Sequence, residues 1–433
     1  MSALEQLIPK GYKTSEVGII PERWNAIPAK EVVEFFGGYG FSSRLASNDG
    51  TKWLKIANVG INEIEWDAVS YLPEYLLKSF KEYSLAENDV VMALTRPLLG
   101  DQLKVAKIDS KDLPALLNQR VAKLKPKSST NLNYIYYSIQ REDFIAAMNL
   151  KMAGTDPPNI GTNALGKIFV ALPEDEKEQT AIANALSDVD ALLTELEKLI
   201  AKKQAIKTAT MQQLLTGKTR LPQFATYIEG EKQGQLKGTK PSELGEIPED
   251  WDVHKIGTLF NITAGGDLKK NQFSPIRTDK HPYPIYSNAI TNKGLYGYCS
   301  TFDYSGEYLT ITARGGIGHA TERDESFCAI GRLLVLSPKQ NTNCKYVAEF
   351  ANQYIEFANE STGVPQLTAP QVAKYNVAMP VFEEQIAIAN ILSDMDNEIQ
   401  TLEQRLAKTR QIKQGMMQEL LTGRTRLPFD KEQ

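Results

Sequence analysis

A stretch of 45 residues occurs twice in this chain, and that repetition decides most of what the chain can fold into. Residues Glu178 to Pro222 align without a gap on Glu384 to Pro428, an offset of 206 (384 − 178), with about 26 of 45 positions identical. EQTAIANALSDVD at Glu178 answers to EQIAIANILSDMD at Glu384, and MQQLLTGKTRLP at Met211 answers to MQELLTGRTRLP at Met417. Similarity at a fixed offset over such a length marks a duplicated structural unit. Within each copy, apolar residues recur in steps of four and three: Ile182, Leu186, Val189, Leu193, Leu196 and Ile200, then Ile388, Leu392, Met395, Ile399, Leu402 and Leu406. This is the a/d seam of a helix that packs along another helix. No proline interrupts either run, and Gly217 and Gly423 stand where a helix C-terminus favours glycine. Each copy is therefore predicted to be one helix of roughly 40 residues, about 60 Å long at 1.5 Å per residue.

Charge order indicates how the two helices pair. The first carries its acids early (Glu178, Asp188, Asp190, Glu195, Glu197) and its bases late (Lys198, Lys202, Lys203, Lys207). The second repeats this, with Glu384, Asp394, Asp396, Glu398 and Glu403 before Arg405, Lys408, Arg410 and Lys413. Acid-first order suits each helix's own macrodipole. Side by side, such helices match opposite charges only when antiparallel, so the pair is expected to fold back as an antiparallel coiled coil.

A second repeat sets the outer boundaries. SEVGIIPERW, Ser15 to Trp24, returns as SELGEIPEDW, Ser242 to Trp251, at an offset of 227 (251 − 24). Its glycine and proline predict a fixed turn that delivers a tryptophan to a core. Each copy thus runs lead-in motif, globular segment, long helix. The expected organisation is residues 1–177 (lead-in and first globular domain), 178–222 (first helix), 223–240 (linker), 241–383 (second lead-in and globular domain) and 384–433 (second helix and tail). The first globular segment is about 21 residues longer (227 − 206). Both mix short β-branched and aromatic runs, such as VVMALT at Val90 and YLTITA at Tyr308, with helical stretches opening at Asn133-Tyr134 and Lys345-Tyr346, so an α+β fold with a pseudo-two-fold internal repeat is expected. Leu54 to Asn58 resembles Ile285 to Asn288, Arg96 to Gly100 resembles Arg314 to Gly318, and QRVAKLKP at Gln119 resembles GRLLVLSP at Gly331. The linker, polar and without apolar period, is expected to be a mobile surface strap.

Composition limits function. A chain of 433 residues with 42% apolar and 24% charged residues is ordinary for a globular protein of two to four domains. The start MSALEQLIPKGYK lacks the apolar stretch of a signal peptide and no run is long enough for a membrane span, which makes the cytoplasm the default location. Cys299, Cys328 and Cys344 are odd in number and lack metal spacing, so reduced core thiols are expected. A formal charge of −4 argues against binding polyanions by bulk charge; nucleic-acid binding would need cations clustered in space or supplied by a partner.

Signs of catalysis are weak throughout. DPPN at Asp156 resembles the Asp/Asn-Pro-Pro-aromatic motif of amino-methyltransferases, but Asn159 replaces the aromatic and no cofactor loop follows a strand. Its counterpart TGVPQLT at Thr362 has no acid. GGIG at Gly315 lacks the Lys-Ser/Thr of a P-loop, and His254, His281 and His319 are scattered, so no metal site or catalytic residue is assigned. What remains is a binding surface. Arg44, Lys52, Lys55, Arg96, Gln102, Lys104, Asn118, Gln119 and Arg120 in the first domain, and Lys269, Lys270, Arg277, Asn288, Arg314, His319, Arg323 and Arg332 in the second, are residue types that bond phosphates and base edges, interleaved with Tyr286, Tyr296 and Tyr298. Each taken singly also reads as a solvated charge or a core tyrosine.

The whole arrangement resembles the specificity subunit of type I restriction-modification systems. Two variable α+β segments alternate with two near-identical helices that begin Glu-Gln-x-Ala-Ile-Ala and end Leu-Leu-Thr-Gly-x-Thr-Arg-Leu-Pro, with paired Ile-Pro-Glu-x-Trp lead-ins at Ile20 and Ile247. The resemblance implies that each globular segment is a target recognition domain reading one half of a split, asymmetric sequence of double-stranded DNA. It implies that the helices are a spacer docking two modification subunits, which methylate adenine at N6, and through them restriction subunits. Under it, S-adenosylmethionine, ATP and Mg belong to those partners and no cofactor to this chain. Side chains shared by both domains (Arg96, Arg120, Arg314, Arg332, Asn58, Asn288) are then expected to serve phosphate contact or scaffold. Unshared ones (Arg44, Lys52, Gln102, Lys104, Arg277, Tyr286, His319, Arg323) are candidates for base readout. One other reading stays open, a coiled-coil adaptor whose domains bind proteins; a free-standing methyltransferase fails for want of a cofactor loop.

Overall fold

The computed structural model describes residues 8–127, 130–339, 341–357 and 366–428. Of the TGVPQLT stretch, the part from Thr362 to Pro365 lies outside the described residues. The chain divides into two compact units, 1–196 with 405–433, and 197–404. Each therefore holds one globular domain, part of one long helix and part of the other.

In the first unit a lead-in hairpin, Tyr12–Ser15 against Gly18–Pro21, precedes the strand Trp24–Pro28, which pairs antiparallel with Phe169–Pro173. The main sheet is antiparallel, in the order Val105–Lys107, Val90–Ala93, Val121–Pro126, Val33–Gly37. Side chains alternate across a strand, and Val90–Ala93 shows why a continuous apolar run forms here. Val90 and Met92 enter a core with Leu124 and Tyr134, while Val91 and Ala93 enter another with Leu54 and Val121. A sheet covered on both faces needs apolar residues at every position. A smaller sheet sets Ala115–Leu117 parallel to Thr51–Leu54. Helix Leu132–Ser138 begins at Asn131, whose side chain accepts the Tyr134 N–H and satisfies one orphan donor of the first turn.

The second unit repeats this plan in its hairpin, its two-stranded pair and its main sheet. Its hairpin is Thr239–Ser242 with Gly245–Pro248, Asp252–Lys255 pairs with Asn376–Met379, and its main sheet runs Ala320–Asp324, Glu307–Ile311, Leu334–Pro338, Phe260–Ala264. Cys328–Ala329 lies parallel to Tyr283–Tyr286, as in the smaller sheet of the first unit. Helix Cys344–Tyr354 is capped by Asn343 on the Tyr346 N–H. Both tyrosine hydroxyls then donate to equivalent carbonyls, Tyr134 to Ala171 at 2.8 Å and Tyr346 to Ala378 at 2.7 Å.

The repeated stretches are helices of 39 residues each, Glu176–Leu214 and Phe382–Leu420. Within each unit the two run antiparallel, and the charge order accounts for it. Lys413 meets Asp190 at 2.6 Å in the first unit; Lys207 meets Asp396 at 2.6 Å and Lys203 meets Glu398 at 2.7 Å in the second. Of the seam, Ile182, Leu186, Leu196, Ile200, Ile388, Leu392 and Ile399 are buried, while Val189, Leu193, Met395, Leu402 and Leu406 are half-buried. The seam is not uniform in role: Ile182 and Leu186, like Ile388 and Leu392, complete the cores of the globular domains.

The helix ends do something the heptad pattern does not show. Gly217 and Gly423 take positive φ, +67° and +70°, and a Cβ on either would collide with the ring of a lead-in proline, Pro248 or Pro21. Beyond each glycine comes an arginine. Arg220 donates from Nε and Nη2 to Glu384 at 2.7 Å each and from Nη1 and Nη2 to Asp250 at 2.8 and 3.1 Å. Its counterpart Arg426 grips Glu178, with Nη2 at 2.8 Å from Oε2. The same two buried carboxylates accept the indole N–H of the lead-in tryptophans, Trp24 at 3.3 Å and Trp251 at 3.2 Å. Each helix end thus latches the lead-in motif of the unit it finishes in.

The linker departs from expectation. Far from a loose strap, it is pinned to the second lead-in: Tyr227 donates its hydroxyl to Glu249 at 2.5 Å, and Lys237 pairs with Asp250 at 2.8 Å. A polar composition reads as mobile only while its long-range partners are unknown. Among the described residues, no helix is long and apolar enough to cross a membrane.

Candidate nucleic-acid interface

Strand direction gathers half of the candidate side chains at one end of each main sheet. Arg96 follows the strand Val90–Ala93, while Arg120 and Gln102–Lys104 precede its two antiparallel neighbours, so all four positions emerge at the same edge. In the second unit Arg314 follows Glu307–Ile311, while Arg332 and His319 precede its neighbours at the equivalent edge. Arg44, Arg96, Gln102, Arg120, Arg314 and Arg332 are exposed. Lys52 falls towards the opposite end of the smaller sheet, near the start of the strand Thr51–Leu54, and Arg277 is exposed in the connection between Phe273–Ser274 and Tyr283–Tyr286. Lys52 is also tethered there, its Nζ 2.5 Å from the Lys111 carbonyl.

The first edge is built by side-chain ties between turns. Thr95 donates to Asn159 Oδ1 at 2.7 Å and receives Arg120 Nη1 at 3.2 Å, and the Arg96 N–H donates to the Pro158 carbonyl at 2.7 Å. The Asp156–Asn159 loop therefore buttresses the arginine turn. In the second unit Asn288 does comparable work, donating to the Gly331 carbonyl and accepting the Ala313 N–H, both at 2.7 Å. Arg314 Nη2 is held by Gln366 at 2.8 Å. Asn159 and Gln366 were not among the candidates; the only signal for them was their place in the proline-containing loops before the last strand.

Register revises the pairing of shared residues. Pro126 opposes Val33 and Pro338 opposes Phe260 at matching strand ends, which equates Ala122 with Leu334 and Arg120 with Arg332. Met92 opposes Ala122 and Ile311 opposes Leu334, so Leu94 matches Ala313, Thr95 matches Arg314, and Arg96 matches Gly315. Arg96 and Gly315 share a left-handed backbone, φ +46° and +69°. The Arg96/Arg314 resemblance is thus one residue out of register. Asn58 and Asn288 are not equivalent either, standing four and two residues beyond the matched positions Leu54 and Tyr286. Asn58 is buried, accepting the Lys55 N–H at 3.0 Å and donating to the Glu65 carbonyl at 2.9 Å, which makes it scaffold.

Two readout candidates are corrected outright. Arg323 is 5% exposed; its Nε donates to Thr310 at 3.1 Å, its Nη2 to the Lys293 carbonyl at 2.6 Å, and its guanidinium lies 3.6 Å over the Tyr286 ring. Burial pushes its pKa down. Tyr286 is likewise buried, its hydroxyl 2.5 Å from Glu325, and burial with that carboxylate pushes its pKa up to about 12. The two form an internal cation–π pair, which is stronger when desolvated, and neither faces a groove. Lys104 is half-buried, with Nζ 2.7 Å from the Ile56 carbonyl and its pKa lowered by burial. His319 is half-buried, and burial together with the nearby Arg323 charge lowers its pKa.

This duplicated arrangement matches a known family, described as the type I restriction modification DNA specificity domain, over residues 21–208 and 248–411. The chain belongs to that family. The MjaVIII type I restriction enzyme specificity subunit of Methanocaldococcus jannaschii is 37% identical over 213 residues, a match spanning 49% of this chain and 50% of that relative. The putative MjaX specificity subunit of the same organism is 25% identical over 439 residues, 96% of this chain and 97% of its own. In fold, the crystal structure of a type I S subunit from M. genitalium aligns with a TM-score of 0.62 at 15% identity, covering 95% of this chain and 97% of that one. Both family segments contain one globular domain and most of the long helix that follows it.

Proposed function

We propose that this chain is the non-catalytic specificity subunit of a type I restriction-modification complex, reading a bipartite, asymmetric DNA site with one globular domain per half. The observation that carries the reading is the presentation, twice over on equivalent sheet edges, of exposed arginine-bearing turns braced by amide side chains. Arginine at such turns suits phosphate contact, and the neighbouring side chains that differ between domains suit base edges. The long helices are proposed as the docking rail for two adenine-N6 methyltransferase subunits, and restriction subunits join through them. S-adenosylmethionine, ATP and Mg would be held by those partners, which also supply phosphate-binding charge that a chain of net −4 lacks.

Adenine-methylation sequencing of host DNA, with and without this chain, tests the proposal. A split motif that loses its methylation when the chain is removed is the expected result; an unchanged methylation pattern would sink it. The low net charge favours one rival, a protein-binding coiled-coil adaptor. Salt-dependent retention on duplex DNA together with a co-purifying methyltransferase separates the two.

A further inference from the structure

The two domains part company at one connection beside the arginine turns. Between the equivalent positions Leu94 and Val105 the first domain has ten residues (104 − 94), whereas between Ala313 and Ala320 the second has six (319 − 313). Domain two closes its connection through Gly315 and Gly318, both at positive φ. In domain one the extra residues form a β-hairpin, Leu98–Leu99 against Gln102–Leu103, with Leu98 opposite Leu103 and Leu99 opposite Gln102. The two-residue turn is Gly100-Asp101, with Gly100 at φ +63°, as expected where glycine leads a tight hairpin turn.

Alternation sorts the hairpin's side chains by face. Leu103 is buried and Leu98 packs against the same core, which anchors the ribbon. The next rung points outward: Leu99 is 61% exposed and Gln102 is exposed. An anchored ribbon that displays a leucine to water has the shape of a probe. Two rungs extend roughly 7 Å, comparable with the ~8.5 Å depth of a major groove that admits a two-stranded ribbon. The residue types at its tip are those of base edges: an apolar group suits a thymine methyl, glutamine suits adenine N6 and N7, and aspartate accepts from cytosine N4. Phosphates would repel Asp101, so the tip is suited to pass between the backbones, while exposed Arg96 stands at its foot.

We propose that the hairpin Leu98–Leu103 is a major-groove reading element of the first domain, recognising an A·T pair through Leu99 and Gln102 and an adjacent cytosine through Asp101. The second domain, with its short glycine turn, reads its half-site by other means. This inference rests on the DNA-reading function proposed above.

The test uses the full chain, tagged and purified from its host with the subunits that accompany it, to select sites from a randomised duplex pool. The double variant L99A/Q102A alters only exposed side chains, and a thermal melt checks that it folds. It should lose about tenfold preference at one or two positions of one half-site and keep the other half-site intact. Deleting Leu99 to Gln102, which gives the six-residue length of domain two, should flatten the same half-site. Retention of both half-site preferences by L99A/Q102A overturns the hairpin assignment alone, as does equal loss in both halves. If the unmutated complex selects no sequence, the DNA-reading function falls, and this inference with it.

Discussion

Replacing Arg220 by methionine tests whether the helix-end latch holds the second unit together. The guanidinium side chain is 9% exposed, and it answers Glu384, whose side chain is 1% exposed, with two 2.7 Å charge-assisted bonds. R220M would strand that carboxylate, with the Trp251 indole N–H still donating to it. Leaving a buried charge without its partner costs about 3–5 kcal/mol. The equivalent change in the first unit, R426M, should cost less, about 1–2 kcal/mol, because Arg426 is 36% exposed and water can replace part of what is lost. The lead-in repeats differ in the same sense: where the second offers Asp250 to its arginine, the first has Arg23. Hydrogen exchange reads the two sites in one sample, on peptides covering the hairpins Thr239–Pro248 and Tyr12–Pro21. At 1.36 kcal/mol per tenfold, R220M should lower protection of the first of these by two to more than three decades, and R426M should lower that of the second by about one. Equal effects, or a loss under tenfold for R220M, would refute the assignment of the latch. There is also a pH signature. Burial alone would raise the Asp250 pKa, but hydrogen bonds from Arg220 and Lys237 hold it below the usual range. Its contribution is therefore present above the unfolded value of about 3.9 and is lost as pH falls through the lower folded value, so the part of the difference between parent and R220M that Asp250 carries should fade below about pH 4.

Three further outcomes are expected. Gly415 lies inside the second long helix with open space where a Cβ would go, and its repeat partner is Ala209; G415A should raise stability by up to about 1 kcal/mol in denaturant titration. Arg332→Ala, at the arginine that register still matches with Arg120, should weaken DNA binding across sequences and flatten the salt dependence by about one unit, measured by titration at several salt concentrations; a changed target preference instead would make Arg332 a base reader. Inserting about four residues, one turn, into both long helices should lengthen the nonspecific gap of the methylated motif by about a base pair, which methylation sequencing reads.

The scaffold was more legible in the sequence than the surface. A duplicated heptad run with acid-first charge order left antiparallel pairing as the arrangement that matches opposite charges, and Lys413–Asp190 and Lys207–Asp396 are its realisation. What escaped were the contacts that single side chains make with distant segments outside the helix pairing. Glu178 and Glu384 read as helix-start acids suited to the dipole, yet each is buried under a tryptophan and an arginine from distant segments. The available signal was that these acids and arginines survive in both copies. Arg323 illustrates the opposite failure. Within its strand it is one more basic residue, and its burial depends on Tyr286, Thr310 and Lys293, none of which is local.

The unequal connections, ten residues against six on otherwise matched strands, also bear on how such a protein can change over time. Closing the longer loop costs only about 0.5 kcal/mol more by the logarithmic dependence of loop entropy on length. The order of the main sheet is the same in both units, and of the longer connection's hairpin only Leu98 and Leu103 join the core. Under the proposed role of the hairpin, specificity in this architecture is nearly decoupled from foldability: a lineage can lengthen, trim or rewrite the proposed reading element while the main sheet that carries it keeps its order.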